Sequence, residues 1–137
     1  MSYRLGCSIH LKSNLMKTSS AKAKGRRLAS RAKDKILQAY GLIAPDDIIV
    51  TPAGVNGPDL QFSPWAKDEL PLAIECKNQE ALNVWKSYEQ AEANRGHRQV
   101  PALIYSRNRS DDMISMKLDD FLKYFKTRSV EWPENLS

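Results

Sequence analysis

The chain has 137 residues, 42% apolar and 27% charged, which describes one globular domain with a single core and excludes a disordered polymer. Its apolar runs are only a few residues long, too short for a membrane span or a signal peptide, so retention in the cytoplasm is expected. The net charge of +5 suits a polyanionic partner, and the charge is concentrated: Lys and Arg crowd Arg4 to Lys35, where the only acid is Asp34.

Residues 1–20 carry scattered Lys, Ser and Asn with little periodicity and read as a loosely packed basic arm, with a short strand at Cys7–Leu11. Residues 21–137 read as the folded domain. The first helix is predicted from Ser20 or Lys24 to Tyr40, because Leu28, Ala32, Ile36 and Tyr40 recur at four-residue steps and Gly41 is a natural stop. Its other face shows Arg27, Arg31 and Lys35, either a solvated face or a phosphate-contacting stripe.

The β-branched segment Asp47–Thr51 predicts a strand, Pro52–Pro58 a loop and Asp59–Phe62 a second strand. Ser63-Pro64 opens a connection with a helical turn around Trp65. Pro71–Lys77 is a third strand whose unbroken apolar run implies burial on both faces. Asn83–Asn94 is a helix stopped by Gly96, with Val84, Trp85, Tyr88 and Ala91 as its apolar side. Val100–Tyr105 and Met113–Lys117 are strands flanking a charged turn. Leu118–Phe125 is a helix with Leu118, Phe121, Leu122 and Phe125 inward, and the tail after Lys126 has no pattern. The order predicts an α/β domain: one central mixed β-sheet flanked by helices.

Cys7 and Cys76 do not make a disulfide framework, and with His10 and His97 they are too widely spaced for a zinc site. His97 reads as a surface loop residue, and Trp65 and Trp85 as packing residues.

The chemistry centres on Asn56 to Lys77. Asp59 follows a Gly-Pro turn, and Glu75 and Lys77 end the apolar run Leu72-Ala73-Ile74. Strand alternation puts Glu75 and Lys77 on one face and Cys76 on the other. Phosphodiester hydrolysis needs an activated water and charge neutralisation on the phosphoryl oxygens. Mg2+ or Mn2+ supplies both when hard oxygen ligands hold it. Asp59, Glu75 and the backbone carbonyl of Cys76 make such a ligand set, and Lys77 would orient the water or offset developing charge. The bland alternative is a same-face ion pair beside an ordinary turn acid. It is disfavoured because the pair follows a buried run, where unpaired charge is costly. Asn83, Lys86, Gln90 and Asn94 form a polar stripe on the next helix, from which Lys86 or Gln90 would reach the site or the scissile phosphate.

Pro58-Asp59 followed by Glu75-Cys76-Lys77 resembles the PD-(D/E)xK nuclease superfamily. With Gly25-Arg26-Arg27-Leu28, Gln90-Ala91-Glu92-Ala93-Asn94 and Arg107-Asn108-Arg109, the chain looks like the small bacteriophage nucleases related to archaeal-type Holliday junction resolvases. The resemblance covers about Gly25 to Phe125. It implies a restriction-endonuclease-like core and a Mg2+- or Mn2+-dependent homodimeric endonuclease that nicks four-way DNA junctions. Asp59, Glu75 and Lys77 match the core catalytic positions and Gln90 a helix glutamine, while Arg26, Arg27, Arg31, Lys35 and Lys86 would contact DNA. One departure stands out: the glutamate that many relatives carry early on the first helix has no counterpart before Asp34, so the site would use fewer carboxylates or borrow one from Asp46 or Asp47. The alternatives are a nuclease of ordinary duplex and a non-catalytic DNA-binding protein.

Overall fold

The computed structural model describes residues 2–126. Its first element, α1 (Ser2–Ala39), is one continuous helix, so the expected strand at Cys7–Leu11 is not formed. The Ser2–Ser20 stretch lacks apolar periodicity but has no proline, and extending a nucleated helix is far easier than starting one. From Leu28 the helix follows the predicted pattern: Leu28, Ala29 and Ala32 are buried, with Ile36, Leu37 and Tyr40 packed on the core edge.

After a single 3-10 turn (Pro45–Asp47) come β1 (Ile48–Val50) and β2 (Leu60–Phe62), an antiparallel pair with Val50 opposite Leu60. A short helix, α2 (Pro64–Glu69), is capped by Ser63, whose Oγ accepts from the Ala66 N–H at 3.1 Å. β3 (Leu72–Asn78) then runs parallel to β4 (Val100–Ser106), linked by α3 (Val84–Asn94), and β5 (Met113–Ser115) adds antiparallel to β4. The last helix is α4 (Leu118–Lys126). The expected tail after Lys126 lies outside the described residues.

The predicted single sheet is instead two among the described residues, β1-β2 and the mixed β3-β4-β5. β2 is only three residues long and its chain turns into α2, so no ladder with β3 develops. Alternation along β3 puts Leu72, Ile74 and Cys76 into the main core with Leu28 and Ala29 of α1. Ala73, Glu75 and Lys77 take the other face, where α3 packs.

Two predicted apolar faces are corrected. On α3, Val84, Ser87, Tyr88 and Ala91 form the inward stripe, while Trp85 stands about 100° round from Val84 and is 85% exposed. On α4, Leu118, Phe121 and Leu122 are exposed rather than inward, and the Phe125 side chain lies outside those described. Tyr124 anchors this helix, packing on the core edge with its hydroxyl 3.1 Å from that of Tyr40. β5 is an edge strand, and among the described residues no further layer covers it or the outer face of α4. Trp65 is half exposed, its indole Nε1–H donating to the Leu42 carbonyl at 3.1 Å.

Candidate active site

The loop before β2 is shaped to deliver Asp59. Gly57 has φ of +124°, a conformation that residues with a side chain rarely adopt, and it turns the chain into Pro58. Thr51 closes the loop: its hydroxyl donates to the Pro58 carbonyl at 2.5 Å and its N–H to the Asp59 carbonyl at 2.9 Å. Asp59 then docks on the edge of β3 opposite β4. Its N–H donates to the Ile74 carbonyl at 2.9 Å, and its carboxylate Oδ2 accepts from the Cys76 N–H at 2.6 Å. Two bonds from one residue thus join the two sheets beside Glu75.

Glu75 is 7% exposed, and Lys77 Nζ lies 3.5 Å from its Oε1. The other oxygen, Oε2, is buried with no hydrogen-bond partner among the described residues. A buried carboxylate oxygen without a partner is costly, so Oε2 marks a position suited to a cation. Burial raises the Glu75 carboxyl above its ordinary range and the Asp59 charge raises it further, with Lys77 and Asn94 pulling it back. Asp59 is also raised, again by burial, against the opposing pull of the Cys76 N–H and Lys77. Two carboxyls that burial holds toward protonation, Glu75 further by the Asp59 charge, are what a hard divalent cation would relieve.

These groups open into a cleft of about 420 Å3 lined on the far side by Lys22, Gly25, Arg26 and Ala29 of α1. A Cβ placed on Gly25 would come 3.5 Å from the Cys76 carbonyl oxygen, so the glycine keeps that oxygen open to the cleft. Two carboxylates and one carbonyl would make an oxygen-only donor set. It fits magnesium or manganese better than zinc, since the Cys76 thiol is buried in the core.

The other predicted site residues fall into three groups. Arg26 is exposed at the cleft mouth, and Arg27 is exposed on the same helix. Arg31 and Lys35 meet Asp112 instead of standing as an open stripe: Arg31 binds both its oxygens at 2.8 Å and Lys35 Nζ lies 2.6 Å from Oδ2. Lys86 and Gln90 are exposed on α3 and do not border the cleft; Asn94, one turn further, is the α3 side chain that acts on Glu75. Neither Asp46 nor Asp47 lines the cleft, and Asp47 accepts from the Ala44 N–H and the Ser63 hydroxyl.

Sequence reasoning passed over Thr51, Gly25 and Asn94. Asn94 was visible as the last member of the polar stripe, but Thr51 acts on the carbonyls of Pro58 and Asp59 and Gly25 through its missing side chain, which no spacing rule reveals. No family model, curated protein or solved structure matches this chain.

Proposed function

We propose that this chain is a divalent-metal-dependent DNA endonuclease on a restriction-endonuclease-like core, acting on branched DNA such as a four-way junction. The observation that carries the reading is the buried Glu75 carboxylate, its Oε2 without a partner among the described residues, held beside Asp59 and Lys77 at a cleft with a basic rim. Asp59, Glu75 and the Cys76 carbonyl would hold Mg2+ or Mn2+. The bound ion would supply an activated water and neutralise charge on the phosphoryl oxygens.

The chain's own residues do the rest. Lys77 shares the face of Glu75, where its ammonium orients the attacking water and offsets the charge that grows on the phosphoryl group. The new bond joins the water oxygen to phosphorus as the water gives up a proton to solvent, the bond to one sugar oxygen breaks, and that oxygen takes a proton from solvent as it leaves. Arg26 and Lys22 at the mouth hold the flanking phosphates without reading bases. Symmetric incision of a junction needs two copies, and the exposed apolar surface of Ile114, Leu118 and Leu122 beside the β5 edge is the surface for the second.

The test is cleavage of a synthetic four-way junction, a matched duplex and a single strand in Mg2+, by the native chain and by Asp59→Asn and Glu75→Ala. The junction is expected to be cut first, and both variants to lose about three orders of magnitude in rate, or ~4 kcal/mol. Equal cutting by the variants would refute the site. A preference for plain duplex would refute the branched substrate, and binding without any cutting would favour a non-catalytic DNA-binding protein.

A further inference from the structure

A second cleft of about 630 Å3 lies where the turn between β4 and β5 meets α1. Four cations line it, Arg31 and Lys35 from α1 and Arg107 and Arg109 from the turn, against two carboxylates, Asp111 and Asp112. Asp112 does not cancel the pair it binds. It is 11% exposed, while Arg31 and Lys35 remain 42% and 60% exposed, so one carboxylate fixes two cations whose outer surfaces still face solvent.

The turn itself is built. Arg107 Nε–H donates to the Ser110 hydroxyl at 3.1 Å, and the Asn108 N–H donates to Glu80 Oε1 at 2.9 Å. Arg109 holds φ of +58°, an uncommon conformation for a residue with a side chain. Neither Arg107 nor Arg109 has an ion pair among the described residues. Asn78 lines both this cleft and the one holding Asp59, Glu75 and Lys77, so the two are neighbours along the end of β3.

We propose that this second cleft is a phosphate-binding locus that anchors one duplex arm of DNA beside the cleavage centre, with Asp112 as the internal counter-ion that holds Arg31 and Lys35 in place. The inference rests on the nuclease reading for its ligand, but binding and cleavage are separable. Concentrated, partly pre-oriented positive charge next to a cleavage centre fits a continuous polyanion better than an isolated anion. Arginine at the turn suits it because its planar fork matches phosphate oxygens. Such interactions set register and carry no sequence preference.

The experiment measures binding of a fluorescent four-way junction and a matched linear duplex across a salt series, in the Asp59→Asn background so that the DNA stays whole. Arg107→Gln with Arg109→Asn removes two charges; asparagine tolerates the left-handed backbone at 109. A control, Lys67→Gln with Arg95→Gln, removes two exposed charges elsewhere on the molecule. The turn variant is expected to bind both DNAs severalfold more weakly, with a salt slope shallower by about 1.8, or about 0.9 for each phosphate no longer neutralised. The control is expected to keep both affinity and slope. Unchanged binding by a turn variant with native thermal stability would overturn the locus, as would equal weakening in the control, which would reduce it to overall charge. If the turn variant binds weakly but the native chain cuts no DNA in any divalent metal, the nuclease reading falls and the anchor stands. If the native chain cuts and the turn variant binds normally, the anchor falls alone.

Discussion

Arg31 and Asp112, 81 residues apart in sequence, meet in a two-pronged ion pair with both hydrogen bonds at 2.8 Å. Lys35 adds a third bond to the same carboxylate. The Arg31 guanidinium holds the Asp112 carboxyl far below the ordinary range, with Lys35 and Ser106 assisting. A carboxyl depressed in the folded state stabilises the fold above its unfolded pKa, and that stability is lost as pH falls through the acid range. The pair's cations are well exposed, so it contributes about 1 kcal/mol. Asp112→Asn is expected to lower Tm by about 4 °C at neutral pH. The gap between variant and native protein should close as pH drops below about 4, checked by thermal melts across pH.

Asp59 and Glu75 act in the opposite sense. Both are raised by burial, and Glu75 also by Asp59. A carboxyl raised in the folded state gives its full stability below the unfolded pKa and loses it as pH rises through the folded one. The metal-free protein is therefore expected to gain Tm at neutral pH on Glu75→Gln. Mg2+ is expected to raise the Tm of the native chain at neutral pH, with a gain that shrinks toward pH ~4 and vanishes on adding a chelator. Glu75→Gln should show little of that gain. Melts with and without Mg2+ check both.

Gly25 sits inside α1, where glycine costs about 1 kcal/mol relative to alanine. A Cβ there meets the Cys76 carbonyl oxygen at an ordinary van der Waals distance of 3.5 Å, so alanine fits. Gly25→Ala is expected to raise Tm by about 4 °C while weakening the proposed Mg2+-dependent cleavage at least about tenfold by covering the proposed ligand oxygen. A rise in both stability and cleavage would remove the Cys76 carbonyl from the ligand set.

The outer face of α4 offers a direct test of the proposed self-association. Leu118 and Leu122 are exposed and one helical turn apart. Leu118→Glu with Leu122→Glu is expected to shift Tm by no more than about 4 °C, since each exposed substitution changes stability by at most about 0.5 kcal/mol. It should convert a dimer to a monomer in sedimentation at micromolar protein. A native chain that is already monomeric would place paired incision beyond this protein acting alone.

Much of the framework was legible because its signals are local. The four-residue recurrence from Leu28 to Tyr40, the β-branched run before Thr51 and the apolar run before Glu75 each specify their element without help from distant residues. The convergence of Asp59 with Glu75 and Lys77 followed from strand alternation and a turn. What escaped depended on long-range placement. Nothing near Arg31 in sequence announces Asp112. The apolar pattern of α4 is real, but pattern alone does not say whether a layer exists to receive it. Gln90 and Asn94 share a polar stripe, yet Gln90 is exposed while Asn94 pulls the Glu75 carboxyl down.

The two bonds that Asp59 makes to β3, one from its N–H and one to its carboxylate, tie the two sheets together at the site. Docking the β1-β2 unit onto β3 and assembling the carboxylate pair are therefore a single event. The Cys76 amide becomes its reporter: its hydrogen exchange should be slow while the centre is assembled and fast whenever Asp59 lets go. Comparing that exchange rate in the native chain and in Asp59→Ala would time how often the centre comes apart, with no substrate present.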